Sequence, residues 1–169
     1  MIPSKDVFEI KLDFSDVKIS TGEIGLSLGY SDGNIPEHFC KMVDGILAQI
    51  SGHCEIKAGY RILDLKKTSD RNDGLYIGDK FFKMDKIVTR QLIKADKAAV
   101  FVCTIGPGME TWAKQLLNVG DPTMCYFVDT IASVTVESIA NLLHDRLAQR
   151  MNELGLKVKI GRASCRERV

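Results

Sequence analysis

Ala98-Ala-Val-Phe-Val-Cys-Thr-Ile-Gly-Pro-Gly-Met-Glu110, followed by one long apolar-periodic run from Pro122 to Leu154, is the stretch that decides the fold. Residues 98–103 form an unbroken apolar run, which predicts an interior strand covered on both faces. Gly106, Pro107 and Gly108 then turn the chain into a short helix to Asn118 that carries Met109, Trp112, Leu116 and Leu117. Over 122–154, Phe127, Ile131, Val134, Leu142, Leu143, Leu147 and Met151 recur at steps close to three and four, the spacing of one helix face.

A second stripe on the same helix carries only polar residues. Asp129, Ser133, Glu137, Asn141 and Asp145 each follow the last by four residues, so they stack along the axis. Ala132, Ser133 and Ala140 lie near it and leave room for a ligand or a partner backbone. A solvated helix face is the plain reading of such a stripe; a ligand wall is the sharper one.

The words Thr-Ile-Gly-Pro-Gly-Met-Glu (104–110), Val-Gly-Asp (119–121) and Val-Asp-Thr-Ile-Ala-Ser-Val-Thr-Val-Glu-Ser-Ile-Ala (128–140) follow in this order and spacing. Together they resemble the activation domain of vitamin B12-dependent methionine synthase, in its short stand-alone form. Leu-Gly-Tyr at 28–30, then Pro36 and a helix, fits the first half of the same pattern, and the resemblance covers most of 23–156.

That resemblance implies a chemical task. The chain is expected to bind S-adenosylmethionine and to dock on a cobalamin-carrying methionine synthase module or corrinoid protein. There it would support reductive methylation of cob(II)alamin, with a flavodoxin-like or ferredoxin-like electron donor, as an accessory domain of a methyltransferase. Positioning the sulfonium methyl in line with cobalt would supply most of the acceleration. Glu137 stands where the family carries a ligand-facing glutamate, and Asp129 is a second candidate two turns earlier; a carboxylate there suits the amino group or the sulfonium. The alternative is a non-catalytic docking module for a corrinoid protein in methyl-transfer metabolism. A third reading is an α+β domain whose likeness is only architectural.

Length and composition narrow the partners. A chain of 169 residues is one domain by size, and 23 basic against 22 acidic residues leave no electrostatic footprint for nucleic acid or an anionic membrane. No window approaches the roughly 20 apolar residues of a membrane span, and residues 1–5 lack the apolar core of a secretory signal. The five cysteines show no paired spacing, as reduced thiols do in cytosol, so a cytoplasmic location is expected.

Residues 7–14 alternate Phe8, Ile10, Leu12 and Phe14 with charged residues and predict a half-buried strand. A Gly- and Ser-rich segment follows, with a short strand or helix near 24–28. Pro36 and Glu37 open a helix whose apolar face is Phe39, Met42, Val43, Ile46, Leu47 and Ile50. His38, Cys40, His53 and Cys54 have metal-ligand side chains, but 15 residues of helix separate the two histidines by about 22 Å, so one ion cannot reach both. Further strands are predicted at 55–65 and 80–84, a polar loop at 66–74, and a helix from Asp85, which caps it, to about Ala95. The Gly106 turn is no Walker or dinucleotide signature, and a tight turn is its expected role. The expected fold is α+β: a single domain with a twisted, mainly antiparallel or mixed sheet flanked by helices, and one long carboxyl-terminal helix.

Residues 160–169, Ile-Gly-Arg-Ala-Ser-Cys-Arg-Glu-Arg-Val, read differently from the rest. The bases ATC GGA AGA GCG TCG TGT AGG GAA AGA GTG, from the third base onward of a common short-read sequencing adapter, translate into all ten. Native sequence is therefore expected to stop at about Lys159, giving an incomplete activation-like domain over 1–159 and a non-native tail over 160–169. Arg162, Arg166 and Arg168 against Glu167 make that tail +2, so the rest of a +1 chain is −1. After Lys157, Val158 and Lys159 begin a strand, the family continues into an arginine and a Pro-Gly-Tyr that hold S-adenosylmethionine. Arg162 does not replace that arginine, because no Pro-Gly-Tyr follows it. The chain as written is therefore expected to bind S-adenosylmethionine weakly or not at all.

Overall fold

The computed structural model describes residues 7–66 and 74–156. The elements are β1 (Phe8–Ile10), a 3-10 turn (Phe14–Asp16), α1 (Thr21–Ser27), α2 (Glu37–His53), β2 (Lys57–Lys66), β3 (Gly74–Ile77) and β4 (Lys80–Lys83). They continue as α3 (Lys86–Leu92), β5 (Lys97–Thr104), α4 (Gly108–Asn118) and α5 (Pro122–Glu153). The strands form one five-stranded sheet in the order β1-β2-β3-β4, with β5 also paired to β2. β3 runs antiparallel to β2, with Leu65 opposite Ile77, and antiparallel to β4, with Tyr76 opposite Phe81. This is the expected α+β class: a mainly antiparallel sheet, with helices that include one long element at 122–153.

Two compact units divide the chain. One comprises Met1–Phe8, Tyr60–Phe101 and Ala148–Val169, the other Glu9–Gly59 and Val102–Leu147. In the first, Tyr60, Ile62, Leu75, Ile77 and Met151 are buried, and the Phe8 ring stacks on Tyr60 at 5.2 Å between centroids. Lys97 bridges to Asp64 at 2.6 Å. Asp85 caps α3 as expected, its side chain accepting from the Ile87 N–H at 2.8 Å.

The second unit holds the helical core. Val43, Ile46 and Ile50 of α2, Met109 of α4, and Val128, Ile131, Ile139 and Leu143 of α5 are almost wholly removed from water. Burying each such side chain stabilises the fold by about 1.5–3 kcal/mol. Phe39 of α2 meets Phe127 of α5 with ring centroids 5.0 Å apart. Between α2 and α4 the backbones come so close that a Cβ at Gly108 would overlap the His53 carbonyl. The preceding Gly106 has φ +75, open to glycine at no steric cost. Its N–H bonds to the Thr104 hydroxyl at 3.1 Å, so the glycines serve a tight turn and a close crossing.

Three sequence expectations need correction. β5 is not an interior strand covered on both faces: Val100 is exposed, Val102 is 71 % exposed, and Ala98, Phe101 and Cys103 are only half-buried. Among the described residues β5 pairs with β2, and Val100 and Val102 on it stay exposed. The strand expected over 7–14 is shorter, because a 3-10 turn starts at Phe14 and the Asp13 N–H bonds to the Asp16 carboxylate at 3.4 Å. No strand was expected at 74–77, where β3 forms. Of the loop expected at 66–74, Lys66 ends β2 and Gly74 opens β3 while 67–73 lie outside the described residues, as does the strand expected at 157–159.

Candidate functional site

α5 positions the polar stripe because its other faces are occupied. Residues 127, 128, 130, 131, 134, 135, 138, 139, 143 and 147 are buried, and the stripe falls largely outside that band. Thr135 and Ser138 enter that band without penalty, since their hydroxyls donate to the carbonyls of Ile131 at 2.7 Å and Val134 at 3.0 Å. Asp129, Ser133, Glu137 and Asp145 are exposed, and Asn141 is half-buried. Ser133 donates back to the Asp129 carbonyl at 3.1 Å.

The stripe does not converge on a single hollow. Asp129 lines an open groove of about 400 Å³ between α4 and α5, whose walls are Ala113, Leu117, Cys125 and Tyr126, with the Glu110–Lys114 ion pair at its rim. Asn141 and Asp145 line a second, more polar groove of about 270 Å³ with Asp16, Lys18, Glu23 and Ser138. Arg146 stands beside it, paired with Asp16 at 2.8 Å and donating to the Lys11 carbonyl at 3.3 Å. Glu137 lines neither groove. It lies eight residues beyond Asp129, about 12 Å along the axis, too far for both carboxylates to hold one ammonium.

Glu137 does have a neighbour that sequence reasoning missed. The Cys103 thiol of β5 is pushed up, first by its partial burial and second by the negative charge of Glu137. That coupling places the carboxylate close to the end of β5, where the chain leaves the sheet for the Gly106 turn. Nothing in the alternation of 98–103 signals it.

The four residues with metal-ligand side chains go separate ways. His38 lies against Phe39, and His53 stacks on Trp112 with ring centroids 4.3 Å apart. The Cys40 thiol points at the carbonyls of Ile35 and Pro36, and burial raises the Cys54 thiol. Among the described residues no three His, Cys, Asp or Glu side chains are grouped to hold a metal ion. No described helix is long and apolar enough to cross a membrane.

The chain matches no family model and no curated protein.

Proposed function

We propose that the chain is a methionine synthase activation-like module, which binds S-adenosylmethionine and docks on a cobalamin-carrying partner to support reductive methylation of cob(II)alamin. The observation that carries the reading is the outward placement of Glu137 on α5, beside the end of β5, on a helix whose remaining faces are committed to the core. A carboxylate held there by a rigid helix suits the amino group or the sulfonium of S-adenosylmethionine. Asp129 is the second contact, in an apolar groove where a cationic sulfonium would find both a counter-charge and a cover.

S-adenosylmethionine supplies the methyl group and the partner's cobalt is the nucleophile; this chain contributes binding and alignment. The partner is a methionine synthase module or another corrinoid protein, and the electron comes from a flavodoxin-like or ferredoxin-like donor. Residues 160–169 do not match the family's arginine and Pro-Gly-Tyr, so only the helical contacts are assigned to residues of this chain. A docking module without methyl transfer is the second reading; it parts from the first over whether an arginine and a Pro-Gly-Tyr follow Lys159.

The test mixes the protein, continued past Lys159 by an arginine and a Pro-Gly-Tyr, with a cob(II)alamin-loaded methionine synthase module, S-adenosylmethionine and a reduced flavodoxin, and follows the corrinoid spectrum. Conversion to the methylated form that depends on this protein and falls with Glu137→Ala supports the first reading. Association without conversion moves the function to the docking module. Neither association nor conversion refutes both.

A further inference from the structure

We propose that this chain self-associates, the β3–β4 hairpin of one copy seating in the α4–α5 groove of a second. Each surface is incomplete in a way the other completes.

The hairpin is a short edge with uncovered aromatic rings. All four residues of β4 are exposed, and Tyr76 and Phe81 stand opposite each other with their rings edge to face at 5.3 Å. Phe81 is 49 % exposed, and Tyr76 and Phe82 are exposed beside it. Lys80 and Lys83 bracket the two phenylalanines and make no ion pair among the described residues. Among the described residues the nearby acids are engaged: Asp79 pairs with Lys66 at 3.6 Å, and Asp85 caps α3. Lysines on an edge strand normally discourage pairing with another strand. Here they leave a surface that joins aromatic area to unneutralised positive charge, which suits a side-on partner of opposite character.

The groove has that character. Leu117 and Tyr126 are exposed on its walls, Tyr126 at 53 %, and Val119 is 79 % exposed in the turn between α4 and α5. Glu110 is neutralised by Lys114, and the Asp121 side chain accepts from the Met124 N–H at 2.9 Å. The Asp129 carboxylate has no ion-pair partner among the described residues, although it lines a mostly apolar hollow. A phenyl ring entering between Leu117 and Tyr126 covers exposed apolar surface on both sides, and an adjacent ammonium reaches Asp129 in surroundings drier than open water. Because both halves of the match belong to this chain, a second copy is the occupant the charges select.

The contact is heterologous, a hairpin on a groove, so association raises the mass of the species in solution whether it closes or extends. It engages Asp129, which the proposed function also assigns to S-adenosylmethionine, so a second copy and that ligand exclude each other from the groove, while Glu137 is left untouched.

Sedimentation velocity of the whole 169-residue chain over a range of concentrations tests it. The expected result is a sedimentation coefficient that rises with concentration, is lost in Lys83→Glu and in Asp129→Lys, and returns when the two variants are mixed. An acidic hairpin then faces a basic groove, and the restored species also proves that both variants fold. Asp145→Lys, the same charge change elsewhere on α5, leaves association intact. A monomer at every concentration, association that survives either single reversal, or a mixture that stays monomeric overturns the proposal.

Discussion

The two long faces of α5 come from the same 32-residue helix and share its backbone, yet they carry opposite assignments. Inward, Val128, Ile131, Thr135, Ile139 and Leu143 are wholly or almost wholly buried. Outward, Asp129, Ser133, Glu137 and Asp145 stand in solvent. The inner face makes the helix rigid, and a rigid helix fixes where the outer side chains stand. Core packing and solvent exposure are thereby separated by rotation about one axis.

The strongest way to break this comparison is to remove packing from the inner face. Leu143→Ala, at a fully buried position, is expected to cost about 2–5 kcal/mol, read as a fall in the urea midpoint with the slope unchanged. Gly108→Ala forces a methyl toward the His53 carbonyl and is expected to cost about 1–3 kcal/mol in the same assay. A tolerant Gly108 would mean that α2 and α4 are not held at that crossing.

Smaller effects sharpen the outer face. Arg146→Ala removes one half-exposed bridge to Asp16 and one bond to the Lys11 carbonyl, and is expected to cost under about 1 kcal/mol. Glu137→Gln is expected to stay within about 0.5 kcal/mol of the parent; a larger loss would make Glu137 a structural residue and weaken its assignment to a ligand. The same variant has a chemical readout. The Cys103 thiol is raised by burial first and by Glu137 second, so it stays protonated at neutral pH and alkylates slowly. Removing the carboxylate lowers that thiol's pKa while leaving it above the ordinary value. The alkylation profile of Cys103 then shifts to lower pH, measured residue by residue by mass spectrometry.

How far the sequence is legible follows from the same physics. Helix periodicity carries α2, α4 and α5, because a wide apolar stripe has only one way to face a core; Phe127, Ile131, Val134, Leu143, Leu147 and Met151 are buried as their spacing implies, whereas Leu142 is only half-buried and lines the polar groove beside Asp145. Local chemistry carries the Asp85 cap and the Gly106 turn. β5 misleads for a physical reason. An unbroken apolar run says that water is disfavoured on both sides, but it does not say that this chain supplies the cover, and Val100 and Val102 remain open. β3 escapes notice because Gly74-Leu-Tyr-Ile is four residues beside a polar loop, too short for a period to show.

The site divides similarly. The stacking of Asp129 and Glu137 on one face follows from a four-residue step, and both are exposed on α5 as that step implies. Their separation into different surroundings depends on α4 and β5, elements remote in sequence whose positions no local pattern encodes. Tyr126 falls outside the predicted apolar face of α5, and Leu117, one of the apolar residues read on α4, is exposed; the two become groove walls only once α4 lies alongside α5.

The proposed role of Glu137, on the outward face of α5, is to hold a cationic ligand. Calorimetric titration of S-adenosylmethionine tests it most directly, using protein expressed from a gene re-sequenced past codon 159, with Glu137→Ala beside it and the 169-residue chain as reference. The account predicts weak or no heat of binding for the 169-residue chain, binding once an arginine and a Pro-Gly-Tyr follow Lys159, and its loss in Glu137→Ala. Equal binding with and without the Glu137 carboxylate, or tight binding by the 169-residue chain itself, would contradict it.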